Sequence, residues 1–470
     1  MSTTEESIVI GVPLDSGIEA RGIERVLPHE RTHVSVIDNF TMWLSANMVI
    51  STVALGALAI PVFGLGFWDS LAVIVLFNML GVLPVAYFST LGPRLGLRQM
   101  TIARFSFGWH GAKIMALFNV AACIGWSAVN VIVGSQIITA LSKGAVPVWA
   151  SILVIAALTT AVSVYGYRYV HRYERFAWIP MAVIFFIVAA STHGQMGIVP
   201  TPAWNMAHIA SLVSFGGAIY GFATGWSSYA ADYSVNQPEH TPASKIFWLT
   251  FFGVTIPCIL LETVGLGLTT VSAFGKAANE GGGALLAAAL HPLGGLGEFL
   301  LLLLALSVIA NNIPNDYSLG LSIQVLGRAF HKVNRAVWTF LGAVVYIVIA
   351  IFAAAHFNAT LENFLLMVAY WLSPWTIILI LEHFIVRRGQ YNLDSWNEAR
   401  HLPVGWAAIV SMALGLFGVY LGAAQLLFVG PIAGLFNPPY GMDVGFELGL
   451  VFAAVSYLIL RPIELRKHAR

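Results

Sequence analysis

Two pairs of side chains set the chemistry open to this chain. Trp126 and Asn130, in CIGWSAVN, stand four residues apart and share one face if the segment is helical. Asn311 and Asn312, in LSVIANNIPNDYS, follow a run from Phe299 to Ala310 whose only polar residue is Ser307. Trp226 follows Gly216, Gly217, Gly221 and Gly225 in SFGGAIYGFATGWSSYAADYS, and Ser51 lies in NMVISTVALGAL. An indole beside a carboxamide suits a flat, neutral ring. The ring can stack on the indole for roughly 1–3 kcal/mol, by analogy with base–aromatic stacking. The amide sets a donor beside an acceptor, the pair that reads a nucleobase edge. A carboxylate ligand would call for a cation, and the centres of these segments hold no Lys or Arg.

Plainer readings stand beside these. Asparagines in apolar helices often bond only to a neighbouring helix. Tryptophans in such helices usually anchor the interface, although Trp126 and Trp226 both lie well away from their segment ends. Gly217, Gly221 and Gly225 recur every four residues, which fits close helix packing and an unwound segment equally. Pro314 has no amide hydrogen and deprives the carbonyl four residues back of its helical donor. Unpaired backbone at membrane depth is tolerated only against protein or a water-filled cavity, so this segment is expected to line a site, the plainer reading being a kinked helix whose asparagines bond only to a neighbouring helix.

The elements that position these residues follow from composition. The chain has 470 residues, 58% hydrophobic and 10% charged, with a net charge of +1 and a mean hydropathy of +0.80. Such a chain is an all-α protein of the lipid bilayer, because it has too little charge to cover a water-exposed surface. Its charge balance gives no reason to expect nucleic acid as a partner. Cys123 and Cys258 both fall in apolar segments and suggest neither a disulfide framework nor a metal site. Taking roughly 20 apolar residues per span, helices are expected near 38–62, 68–90, 112–141, 146–166, 176–193, 210–232, 244–270, 298–325, 335–356, 362–385, 404–424 and 445–462. With the N-terminus inside, every Lys and Arg except Lys143 and Lys276 falls on the cytoplasmic side of these twelve spans. That orientation makes 1–37 and 463–470 cytosolic tails at a plasma membrane. The Gly-rich external segment 271–297, with GGGALL and HPLGGLG, reads either as re-entrant backbone with a use in gating or, more plainly, as a connector.

Ionisable groups inside spans are functional candidates by default. Glu262, in CILLETVG, has no cation near it in sequence and is a candidate for proton coupling, with an interhelical hydrogen bond as its plainer use. Asp232, Asp316 and Glu382 fall toward cytoplasmic ends and read as gate or cap groups. No His pair has zinc-ligand spacing, and no Gly-rich nucleotide loop or Walker sequence is present, so neither catalysis nor a cofactor is expected. The expected source of energy is an ion gradient.

Three separated stretches resemble one family. GPRLGLRQMTIARFSFGWHG (92–111), GWSSYAADYSVNQP and ANNIPNDYS are similar to signatures of the nucleobase:cation symporter family 1, purine-cytosine permease branch. The resemblance implies a leucine-transporter-like fold, with five-helix repeats at 38–195 and 208–386 inverted relative to each other and two further helices at 404–462. Its first and sixth spans would be discontinuous, with substrate at the midplane. It implies substrate contacts at Trp126, Asn130, Trp226, Asn311 and Asn312, with Pro314 supporting them and Ser51 corresponding less securely. Activity would be symport of cytosine and purines such as adenine, hypoxanthine and guanine. Sodium-dependent relatives use two hydroxyls in the eighth span. Here Ala305, Leu306 and Ser307 offer one, so Ser307 is a poor cation position and protons are favoured over Na+. Uracil, allantoin, a hydantoin or a vitamin is the alternative substrate. A membrane sensor that binds bases without moving them is the alternative from another class, disfavoured by the lack of a sizeable output domain.

Overall fold

A computed structural model describes residues 22–31, 33–164, 167–425 and 428–468. Most of the expected N-terminal tail, including 1–21, therefore lies outside the described residues. The first span is two helices, α1 (Ile37–Asn47) and α2 (Ile50–Gly56), followed by α3 (Phe67–Ser89), α4 (Arg104–Leu141), α5 (Val148–Val164) and α6 (Tyr167–Thr192). Next come α7 (Met206–Thr224), α8 (Ala230–Ser234), α9 (Ala243–Thr269), α10 (Gly275–Glu280), α11 (Gly282–Leu290) and α12 (Gly295–Val325). The chain closes with α13 (Arg335–Ala353), α14 (Phe357–Leu381), α15 (Trp406–Gly422) and α16 (Gly445–His468). Eight helices among the described residues are long and apolar enough to cross a membrane, α13 running on through a 3-10 turn into α14 as one of them.

The outside of this bundle is apolar and its inside is where the polar groups are. Phe186 and Phe352 are 74% and 80% exposed, whereas Asn78, Asn119, Ser127, Asn130, Asn312 and Ser318 are buried. Lipid can solvate the phenyl rings but not the amides and hydroxyls, so the latter turn inward and find partners. The helices form two groups. α1, α2, α3, α7 and α9 pack on one another, and α4, α5, α12 and α13 form the second group. α14 packs on α7 and on α16, which pairs with α15.

Several sequence expectations need correction. The segment 271–297 is not a plain connector, since α10 and α11 occupy it and α11 packs on α4. α4 begins at Arg104 rather than 112, with a break at Gly108, where φ is 67° and glycine is favoured. α12 does not kink apart at Pro314. It runs unbroken through the proline, and polar side chains attend the backbone there: the Tyr233 hydroxyl donates to the Pro314 carbonyl (2.8 Å) and Asn315 Nδ2 to the Asn311 carbonyl (3.1 Å). The expected tail 463–470 is the end of α16 as far as His468.

Both discontinuous spans are present. Met48 (φ −87°, ψ 64°) and Val49 (φ −139°, ψ 167°) separate α1 from α2. A 3-10 stretch, Gly225–Tyr229, separates α7 from α8, and Tyr229 there leaves helical geometry at φ −146°, ψ 17°. The glycine repeat ahead of it serves both uses left open by sequence. Gly221 presses on the Leu365 carbonyl of α14, so that a Cβ would strike backbone, whereas Gly225 opens the unwound stretch. Gly221→Val should therefore cut the yield of monodisperse protein in detergent severalfold, while Gly194→Val, at a position with open space around it, should leave it unchanged. Size-exclusion profiles of the two variants check this.

Candidate functional site

The two breaks meet α4 and α12 at a junction built on the Asn130 carboxamide. Ser51 Oγ, from α2, donates to Asn130 Oδ1 (2.7 Å). Asn130 Nδ2 donates to Asn311 Oδ1 and to Asn312 Oδ1, the latter at 3.1 Å. Asn311 Nδ2 then donates to the Ala46 carbonyl in the last turn of α1. Four of the side chains singled out by sequence thus form one hydrogen-bonded chain across the two helix groups. All of them are buried.

Beside this junction lies a small cavity walled by Trp126, Phe222, Gly225, Trp226, Tyr229, Asn311 and Asn315. Its volume is about 10 Å3, room for about one water molecule. The Trp126 indole meets Phe222 and Phe364 edge-on, with ring centroids 5.4 and 4.9 Å away. A Cβ at Gly225 would come within 3.0 Å of that indole, so glycine is what lets the unwound stretch lie against it. Trp226 is held by its Nε1 donating to Asn47 Oδ1 (2.9 Å) and by an edge contact with Trp43 at 5.3 Å. Asn47 stands at the end of α1, so the break in the first span and the unwound stretch of the sixth are fastened together. Tyr229 Oη donates to Asn315 Oδ1 (2.8 Å). No charged side chain belongs to the wall.

Two buried donors at this place have no hydrogen-bond partner among the described residues: Trp126 Nε1 and Asn312 Nδ2. Trp126 belongs to the cavity wall and Asn312 stands behind it, and an unpaired donor in a low-dielectric wall favours a ligand with ring nitrogens or carbonyl oxygens that accept. Asn130, expected to read a ligand edge, has its carboxamide engaged by Ser51, Asn311 and Asn312 in this structure. Sequence reasoning missed Phe222, Tyr229, Asn315 and Phe364. Tyr229 and Asn315 lie within the quoted motifs, and their proximity to Trp226 and Asn311 was the available signal. Phe364 sits on a helix with no comparable signature.

The remaining candidates lie outside the wall. Glu262 of α9 is fully buried and accepts a hydrogen bond from Asn78 Nδ2 of α3 (2.6 Å), which is the plainer use expected for it. Ser307 Oγ donates within its own helix to the Leu304 carbonyl (2.7 Å). Pro314 belongs to the α12 segment that carries the asparagines, where its carbonyl takes the Tyr233 hydroxyl. Glu382 joins Arg387, Arg461 and Tyr457 in a buried network that ties α16 to the segment following α14, a cap as expected. Asp232 accepts from the Gln99 amide (2.7 Å) and Ser318 Oγ (3.3 Å), also as a cap. Asp316 accepts from Ser127 Oγ of α4 (3.2 Å) and follows Asn315 of the wall in sequence.

This geometry agrees with what the chain is similar to. Residues 26–444 match the family model described as permease for cytosine/purines, uracil, thiamine, allantoin. The chain belongs to that family. The purine-cytosine permease FcyB of Emericella nidulans is 44% identical over 463 residues, covering 96% of this chain and 90% of that protein. The purine-cytosine permease FCY2 of Saccharomyces cerevisiae is 40% identical over 470 residues, covering 96% and 87%. Among solved structures, Mhp1, a nucleobase-cation-symport-1 family transporter in a closed conformation with bromovinylhydantoin bound, superposes with a TM-score of 0.74 at 15% identity. The match covers 96% of this chain and 97% of that one. The fold is therefore leucine-transporter-like, and the chain is a multi-pass membrane permease for a small molecule rather than an enzyme.

Removing the acceptor that holds Trp226 tests the site without touching its wall. Asn47→Leu keeps the volume but strands a buried indole N–H, at about 1–3 kcal/mol. Half-saturation for transported substrate should rise about tenfold, by the relation of roughly 1.4 kcal/mol per decade. Saturation curves for the variant and the parent protein check it.

Proposed function

We propose that this permease imports cytosine and purine bases such as adenine, hypoxanthine and guanine together with protons, by alternating access. Its place would be the plasma membrane, with both termini in the cytosol. The observation that carries the reading is the uncharged wall in which two indoles and the carboxamides of Asn311 and Asn315 converge, with Trp126 Nε1 and Asn312 Nδ2 left as free donors. A planar, neutral base rich in ring nitrogens and a carbonyl suits that wall. An anionic or strongly dipolar substrate would find no countercharge. Substrate-binding roles are accordingly assigned to Trp126, Trp226, Asn311, Asn312 and Asn315. Asn130 and Ser51 hold the asparagines in register, and Gly225 lets Trp126 approach.

The cavity, with room for about one water, represents a closed stage of the cycle, and admitting a base requires Trp126 or Phe364 to swing aside. The site lies between two helix groups, which is where rocking of one group against the other gives alternate access to the two sides. We assign the repeats to 38–195 and 208–386, with 404–462 as an addition outside the rocking core.

The observation that supports protons over Na+ is the small number of oxygen ligands in the eighth span, where Ala305, Leu306 and Ser307 offer a single hydroxyl to a hard cation. Glu262 is one candidate for the coupled proton that sequence offers, beside its plainer use as the acceptor of the Asn78 amide.

Trp126→Ala and Asn312→Ala should each abolish saturable uptake of labelled cytosine while the protein still reaches the membrane; normal transport by both would remove the proposed site. Competition by uracil, allantoin, a hydantoin and a vitamin separates this reading from one in which another heterocycle is the substrate, a breadth the family description itself suggests. An imposed pH gradient in sodium-free buffer should drive uptake, and a strict sodium requirement would contradict the coupling. Glu262→Gln should alter the pH dependence if that carboxyl carries the proton; an unchanged profile returns it to its bond with Asn78.

A further inference from the structure

Asp316 is a fully buried carboxyl one residue beyond Asn315 of the cavity wall. It stands on α12 and is 1% exposed. Its Oδ1 accepts a hydrogen bond from Ser127 Oγ (3.2 Å), and Ser127 follows Trp126 on α4. The carboxyl thus bridges the two helices that supply an indole and an amide to the site. Its other oxygen, Oδ2, is buried and makes no geometric hydrogen bond among the described residues, although the Ser163 hydroxyl of α5 also faces the carboxyl.

The groups that face it are neutral or otherwise engaged. From α4 come Ser127 and Cys123. From α5 comes Ser163, whose hydroxyl donates to the Thr159 carbonyl. From α13 come Tyr346, hydrogen-bonded to Thr160 (3.3 Å), and Thr339, whose hydroxyl donates to the Asp316 main-chain carbonyl (3.0 Å). The Arg335 guanidinium lies 4.5 Å over the Tyr317 ring and donates to the Ser163 carbonyl. Asp232 lies on the far side of Cys123, with Gln99, Ser318 and Arg98 around it. Among the described residues, no Lys, Arg or His nitrogen forms an ion pair with Asp316.

A lone buried charge is costly unless it is paired or neutralised. Nothing pairs Asp316, and Oδ2 is open to a proton. Glu262 also lacks a cation, but it joins α9 to α3 within one helix group and stands apart from the wall. Building on the proton-coupled reading above, we propose that Asp316 is the carboxyl that carries the coupled proton. The proton comes from external water, forms an O–H bond at Asp316 while substrate fills the neighbouring cavity, and returns to water on the cytosolic side. No other group is consumed. Protonation also changes what Oδ1 and Oδ2 can offer Ser127, which links the proton to the spacing of α4 and α12 around the substrate.

The test uses the full chain in sodium-free proteoliposomes with labelled cytosine. Asp316→Asn should retain counterflow, which needs no net proton movement, yet lose accumulation driven by a pH gradient. A wild-type protein indifferent to the gradient overturns the coupling reading itself, and this proposal with it. A wild-type response accompanied by undiminished gradient-driven accumulation in Asp316→Asn overturns this proposal alone. Ser127→Ala decides the matter if the asparagine variant does not reach the membrane. Loss of a hydrogen bond to a charged group, about 1.5–3 kcal/mol, should move the pH midpoint of uptake by roughly one unit or more toward alkaline. An unmoved midpoint contradicts the proposal.

Discussion

A carboxamide that cannot reach water must find partners inside the protein, and the Asn130 amide finds three. It accepts from Ser51 on the broken first span and donates to Asn311 and Asn312 on α12. Each bond is worth little in water, but in hydrocarbon the alternative is an unsatisfied polar group. Through Asn311 the same chain reaches the Ala46 carbonyl, which the break between α1 and α2 leaves without a helical donor. The discontinuity of the first span therefore persists because α4 and α12 supply what the helix itself does not. That dependence places the break, the asparagines and the cavity at one level.

The aromatic side of the site follows the same logic. Trp226 stands on the 3-10 stretch between α7 and α8, where its indole N–H is fixed by Asn47 and its ring by Trp43. Trp126 is fixed differently, by its position on the long α4 and by the rings of Phe222 and Phe364, and its N–H is left free. One indole is thus a positioned wall and the other a wall with an unused donor. The groups contributing them belong to different helix assemblies, so rocking one against the other must change the gap between the rings.

Much of this was legible in the sequence because hydrocarbon enforces a simple code. Runs of apolar residues mark spans, and cytoplasmic arginines mark loops. A polar residue at mid-span must have a reason to be there. That code located Ser51, Trp126, Asn130, Trp226, Asn311 and Asn312, and the family resemblance supplied the two discontinuous helices. It failed where partners come from other helices. Pro314 deprives a carbonyl of its helical donor, yet α12 runs on through it, with Tyr233 and Asn315 bonded to the neighbouring Pro314 and Asn311 carbonyls. Phe364 is one phenylalanine among 29, and only packing distinguishes it. Asp316 reads as a cap when depth is counted from the end of its span. Its distinctive feature, an acid without a countercharge beside the wall, depends on what α4, α5 and α13 bring to it. The segment 271–297 reads as a connector because glycine is a poor helix former, a preference overridden where α11 packs on α4.

The central claim is that a flat, neutral base occupies the space between Trp126 and Trp226. A structure of the full chain determined with cytosine bound tests it most directly. The account predicts the ring between the two indoles, within hydrogen-bond reach of Trp126 Nε1 or Asn312 Nδ2, with the Asn130 junction still made. Density for the base elsewhere, with the space between the indoles unfilled, would contradict it.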